Sequence, residues 1–342
     1  GISLILQAID SAFALHYFGA TTRTVAMSTT FNPLLGALSI RPSAPPPRVL
    51  EGTQRTRVLE LIANALSTGN FAQVMQAIAK DPSIAHDCLP MKQENGKVSP
   101  MPFPVACLKE HLQAGVLMAL TTGYDINTPS ETDPRFGGLI QAAVDADSEH
   151  DVLLLLTLGA YANEVNPEAK PPDNGVDSLL QVAFNNWVFS GAKSKPVIFP
   201  KMCFALMNAG LKPDPYMATV LVREGDWTEQ AFVKTAVQLL ARMTKAGLDL
   251  TDDWAGSSNH PVSAALGTKN GVALEALVSL GAKTDGALDI FERMRVNGMS
   301  DFIPSIQAKV MNRTIQQASG ASPTPVAATG QATLNRRRAA SI

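Results

Sequence analysis

The sequence predicts an all-α solenoid of stacked helix–turn–helix repeats with disordered N- and C-terminal segments, on three observations. First, five helical apolar runs end in a glycine phrase: L-T-T-G-Y-D-I-N, L-T-L-G-A-Y-A-N, L-M-N-A-G-L-K-P-D, M-T-K-A-G-L-D-L-T-D and L-V-S-L-G-A-K-T-D. Their glycines are Gly123, Gly159, Gly210, Gly247 and Gly281, spaced by 36, 51, 37 and 34 residues, a recurrent period with one long outlier. Second, the upstream halves keep register. Ala143 lies 16 residues before Gly159, Ala265 16 before Gly281, and Leu108 15 before Gly123, whereas Ala183 precedes Gly210 by 27. Third, of the 342 residues 46% are apolar and 17% charged, enough to bury a core and too apolar for a wholly disordered chain.

Taken in order, residues 1–26 are an apolar extension. Asp10, Gln7 and His16 interrupt it, so its uninterrupted apolar length falls short of the roughly 20 residues a membrane span needs. It lacks the basic start of a secretory signal, and Met27 reads as a more natural beginning. The extension is either upstream reading frame or an appended short helix. Residues 27–56 form a Pro/Ser/Thr-rich flexible leader, with five prolines up to Leu50 and no acid before Glu51. Prolines fix φ and remove donors, so this stretch should be extended or disordered.

Residues 57–286 hold about six degenerate repeat units, with an insertion near 186–200. Phe71, Val74, Met75 and Ile78 fall on one face of a helix. Val152–Leu156 is apolar all round, as for a helix sandwiched between neighbours. The terminal glycines allow the positive φ that ends a helix. Residues 287–318 read as a C-terminal helical cap, carrying Asp289, Glu292, Arg293, Arg295, Lys309 and Arg313. Residues 319–342, ending R-R-R-A-A-S-I, have too few large apolar groups to offset ordering entropy and read as a disordered tail.

These units resemble ankyrin repeats, whose pattern is T-P-L-H-x-A-A, a Gly turn, V-V-x-L-L and G-A-D-V-N. His260-Pro261-Val262 is similar to the Pro-Leu step, and Ala265 to the packing alanine. Gly123-Tyr124-Asp125-Ile126-Asn127 and Gly281-Ala282-Lys283-Thr284-Asp285 resemble the terminal phrase. In an earlier unit Gly69 takes the mid-repeat turn, and Asp81 stands where the terminal glycine would be. No unit keeps the full Thr-Pro-Leu-His tetrad, so the hydroxyl–imidazole bonding of the family's turns is largely missing. The resemblance implies partner binding on the concave face and loop tips, with no common partner.

Chemistry-bearing motifs are missing. The chain has no G-x-x-x-x-G-K-[ST] loop, no H-E-x-x-H, no G-x-S-x-G and no C-x-x-C pair. Cys88, Cys107 and Cys203 form no disulfide framework and read as buried thiols, with Cys107 inert. The five histidines do not pair at ligand spacing, and His260 should make a structural hydrogen bond at a turn. The expectation is no enzyme, no cofactor and no metal. A net charge of −2 argues against a nucleic-acid partner.

Binding remains. Candidate partner-binding residues are Trp187, Phe189 and Phe199 in the insertion, Trp227 in Arg223–Trp227, and Trp254 in the Asp252–His260 loop. Tryptophan and phenylalanine bury large areas with few rotors. All three tryptophans fall in predicted loops or their margins, and they either meet a partner or cover the insertions' own small cores. The expected function is a non-catalytic protein–protein interaction module or scaffold in the cytoplasm, its protein partner unidentified. The alternative is a secreted bacterial effector exported into a host cell, because the acid-free leader resembles type III export signals. Organellar transit peptides look similar.

Overall fold

The computed structural model describes residues 43–93, 95–170, 178–191, 200–251, 260–283 and 287–318. The 1–26 extension, leader residues 27–42, the 319–342 tail, Phe199 and Trp254 lie outside the described residues. The protein is mostly helical, and no described helix is long and apolar enough to cross a membrane. The chain divides into two compact units, one holding the residues up to Ile126 with Thr157–Ala160, the other Asn127–Leu156 and the chain from Tyr161.

The first unit contains helices α1 (Gly52–Ser67) and α2 (Phe71–Lys80), strands β1 (Cys88–Lys92) and β2 (Val98–Pro102), then α3 (Phe103–Lys109) and α4 (Gln113–Thr121). Helix α1 packs on α2 and on β1, α3 packs on α4, and a short 3₁₀ turn at Pro82–His86 sits against α2, α3 and α4. Val74 and Ile78 of α2 are fully buried and Phe71 and Met75 half-buried, the face their spacing predicts.

The hairpin is a departure from the all-helical expectation for 57–286. Its strands pair antiparallel with Leu89 opposite Met101 and Pro90 opposite Pro100. Leu89, Met91 and Met101 point inward and their neighbours outward, the two-residue period of a strand with one face covered. Asn95-Gly96 turns the chain with Gly96 at φ +80, and the Asn95 carboxamide accepts the Lys97 amide. Prolines at 90, 100 and 102 suit a two-stranded ribbon, where missing ladder donors are tolerated.

The second unit contains α5 (Gly138–Asp145), α6 (Glu149–Thr157), α7 (Leu179–Gly191), α8 (Lys201–Asn208), α9 (Pro215–Glu224), α10 (Gln230–Lys245), α11 (Pro261–Gly267), α12 (Gly271–Ser279), α13 (Ala287–Val296) and α14 (Ile303–Ala318). Within it α5 packs on α7, α7 on α9 and α9 on α11, while α8 meets α10 and α12 meets α14. Helices of seven to ten residues are too short to persist in water, so these side-by-side contacts supply their stability. Helix α14 closes over α12: Lys309 pairs with Glu275 at 3.1 Å, Ser305 donates to the same carboxylate, and Arg313 donates to the carbonyls of Ala282 and Val278.

One local closure recurs through both units. Residues 69, 111, 147 and 269 are left-handed, each just after the end of one helix, and a second left-handed residue, Gly123, Gly159 or Gly281, follows 12 positions after the last three. Asp81 stands 12 after Gly69 and is extended instead. At the first helix's end the next amide reaches back five residues: Asn70 to Ala65, Leu112 to Cys107, Ser148 to Ala143 and Asn270 to Ala265. These bonds satisfy carbonyls that a helix end leaves without partners. The small acceptor residues are almost fully buried, where the paired helices approach closely.

That pattern moves one sequence assignment by a residue. The position of the packing alanine in α3 is held by Cys107, not Leu108, which makes its distance to Gly123 the same 16 as in the other units. Cysteine is larger than alanine, and the facing helix accommodates it with Gly115, where an added Cβ would fall 2.5 Å from the Cys107 sulfur. Burial pushes the Cys107 thiol up, and that of Cys203 to about 12, which leaves both protonated. Cys88 differs from the expectation of three buried thiols: it is exposed on β1, because its outward strand position faces away from α1.

Two stability outcomes follow. Leu155, fully buried in α6, should lose about 2–5 kcal/mol on Leu155→Ala in urea unfolding, against near-neutral Leu61→Ala on the exposed side of α1. Gly115→Ala should cost about 1–3 kcal/mol by overpacking, and most of it should return in the Cys107→Ala background. Additive losses in that double variant would place the strain elsewhere.

Candidate functional site

The three candidate residues from the sequence that are described, Trp187, Phe189 and Trp227, do not assemble into one surface. Trp187 lies inside α7, not in a loop, because apolar positions at 179, 180, 183, 184, 187 and 188 carry the helical period through Asn185-Asn186. Asn186 is held there by donating to the Val144 carbonyl at the end of α5, 3.3 Å away. Trp187 is half-buried, stacked nearly parallel on Phe232 of α10 with centroids 6.1 Å apart. Phe189 is 64% exposed, and two positions along a helix do not share a face with Trp187.

Trp227 is only 7% exposed. It sits edge-on to Phe232 at 5.9 Å and donates its indole N–H to the Leu221 carbonyl, so its binding capacity is spent inside the fold. Gly225 leaves room for this arrangement, since a Cβ there would collide with the Phe232 ring. The structure thus joins Trp187 and Trp227 through Phe232, which the sequence reading did not single out. His260 makes the structural bond expected of it: it caps α11, its Nδ1 accepting the Val262 amide at 3.2 Å, with Pro261 in the first turn.

A different site lies within the second unit, at the turns that follow Gly159 and Gly210 in the chain. Phe136 and Leu211 line a cleft of about 380 Å³ together with Ala162, Asn163, Glu164 and Lys212. Asn163 and Glu164 come from the phrase after Gly159, and Lys212 from the phrase after Gly210. The cleft is built by a finger-like connection before α5. Ser130 N–H donates to Phe136, Gly138 N–H to Thr128, and Arg135 lies over the Phe136 ring at 5.0 Å.

Arg135 grips Asp133 through Nε at 3.0 Å and Nη2 at 2.7 Å, and reaches Glu164 at 3.5 Å. Hydrogen bonds from Arg135 hold the Asp133 carboxyl below the usual aspartate range against the opposing effect of burial. The arrangement fixes one wall of the cleft and puts a carboxylate, Glu164, near a cation, Lys212, in the same lining. It can hold a polar group through hydrogen bonds and charge. Two tyrosines flank these phrases in the chain: Tyr161 is 63% exposed, its amide bound to the Asn127 side chain at 2.8 Å, and Tyr216 is exposed at the start of α9. The recurring glycine phrase was the sequence signal for this edge.

A second ionic cluster sits in the first unit. Arg55 of α1 donates to Asp81 at 3.0 Å and to Ser83 at 3.0 Å, and pairs with Asp87 at 2.5 Å. The Asp81 carboxylate is fully buried and also accepts the amides of Val49, Leu50 and Ser83. Burial alone would raise its pKa. The Ser83 hydroxyl, the Leu50 and Ser83 amides and Arg55 together outweigh burial and hold it below 3.8.

Compared with known protein families, curated proteins and solved structures, the chain gives no match.

Because the folded Asp81 carboxyl titrates below its unfolded value, its contribution to stability is complete above that value and drains as pH falls through the folded one. Urea unfolding should therefore show a gap between wild type and Asp81→Asn that is constant from neutral pH to mild acid and narrows below 3.8. Arg55→Ala should cost about 3–5 kcal/mol at neutral pH, since it leaves a buried carboxylate without its cation. A gap that widens on acidification would reverse the assignment.

Proposed function

We propose that the chain is a non-catalytic recognition module, an ankyrin-like stack of degenerate helix pairs that offers its turn edge to a protein partner. One observation carries this reading. The position two residues after each terminal glycine carries aspartate, tyrosine or lysine on a similarly turned backbone: Asp125, Tyr161, Lys212 and Asp249 are exposed there, and Lys283 is half-buried. In two of these phrases the amide at that position is bound to the preceding phrase, Tyr161 to Asn127 at 2.8 Å and Lys283 to Leu250 at 3.0 Å.

A constant backbone with changing side chains is what specificity for a macromolecular surface requires, because recognition chemistry varies without cost to the fold. Aromatic and charged groups on preordered turns lose little entropy on binding. The cleft beside Lys212 accepts a side chain from the partner, and Tyr161 supplies apolar area with a polar tip.

Affinity capture from the lysate of the producing cell, with the full chain as bait, tests the reading. Wild type should retain a protein that Tyr161→Ala/Lys212→Glu loses, with circular dichroism unchanged because both positions are exposed. Equal retention by the folded variant would move recognition away from this edge, and Phe189→Ala is then the variant that should lose the partner. No retention above bare resin by wild type would count against a recognition module.

A further inference from the structure

We propose that the run Ala44–Arg48 is a preformed polyproline-II ligand, displayed on the first unit for the aromatic-lined groove of a partner domain that carries an acidic residue beside that groove. The sequence there is Ala44-Pro45-Pro46-Pro47-Arg48. Each proline fixes its own φ near −65° and pushes the residue before it into the extended region, so Ala44, Pro45 and Pro46 are confined to one conformation and Pro47 has its φ fixed. That conformation repeats every three residues, which places 44 with 47 and 45 with 48 on two ridges and 46 on a third.

The run lies on the surface, with one residue turned toward the fold. Pro46 is half-buried, whereas Ala44, Pro45, Pro47 and Arg48 are exposed. Pro46 alone turns toward the protein, and the ridges formed by 44 with 47 and 45 with 48 stay open to an aromatic-lined groove.

The segment is held at both ends and not in the middle. The Ser43 amide donates to the Gly123 carbonyl at 3.1 Å, in contact so close that a Cβ on Gly123 would collide with Ser43. At the other end the Val49 and Leu50 amides donate to the buried Asp81 carboxylate at 3.3 and 3.0 Å. Between them the prolines have no N–H to bind the fold. The Arg48 side chain is 64% exposed and lies 3.9 Å from the Asp87 carboxylate, at the long limit of an ion pair, so its guanidinium is available to an acidic partner. A ligand tied down in its bound conformation has lost its ordering entropy beforehand.

The test titrates the full chain with two purified probes by calorimetry: an SH3 domain with an acidic specificity pocket, and a WW domain. Wild type should bind at least one. Pro45→Ala/Pro47→Ala should weaken that binding by about tenfold or more, and Arg48→Glu should weaken it and remove part of its salt dependence. Circular dichroism should not change, because all three positions are exposed. A synthetic peptide covering residues 43–50 should bind less tightly than the full chain, since it must order itself. Binding of neither probe to wild type, equal binding by the proline variant, or a peptide that binds more tightly than the chain would each overturn the proposal.

Discussion

Short helices depend on how the chain leaves them. Seven to ten residues make too few hydrogen bonds to repay nucleation, and the carbonyls of the last turn need partners. After α3, α5 and α11 a left-handed residue and the amide that reaches back five positions meet that need while reversing the chain. The same closure positions a small buried residue, Ala65, Cys107, Ala143 or Ala265, where the paired helix lies close. In the row α5, α7, α9 and α11, the closure ends α5 and α11, whereas α9 ends at Gly225 with a negative φ.

Where the regular closure lapses, buried ions take over. Asp81 replaces the expected terminal glycine, and instead of a left-handed turn its carboxylate gathers the amides of Val49, Leu50 and Ser83 and the Arg55 guanidinium. The connection before α5 carries the Asp133–Arg135 pair, which supports a loop too long to be held by turn geometry alone. Desolvation opposes the attraction in both pairs, and the gathered hydrogen bonds outweigh it. Each cluster borders one of the two proposed surfaces, the proline run in one unit and the cleft in the other.

The two proposed surfaces use one physical device. Backbone amides are bound inward and side chains are left outward: at Tyr161 and Lys283 by the neighbouring phrase, at Val49 and Leu50 by Asp81. Ordering is thereby complete before a partner arrives, and affinity rests on contact chemistry.

The sequence by itself determined the local features. The glycine positions, the α2 face, the apolar run at 152–156, buried at Val152, Leu154 and Leu155, and the His260 turn all depend on residues within a few positions of one another, and periodicity and φ preference make such features legible. Only the tertiary structure decided the rest. The hairpin at 88–102 needed α1 to cover Leu89 and Met91, and Trp227 turned inward because Phe232 and the Leu221 carbonyl were there to receive it. Cys107 could take an alanine's place only because Gly115 faces it. Arg55 and Asp81, 26 residues apart, carry no local mark of their pairing, and the cleft joins residues from three separate segments. Propensity acts along the chain, whereas burial, pairing and space are properties of neighbours that the chain brings together only by folding.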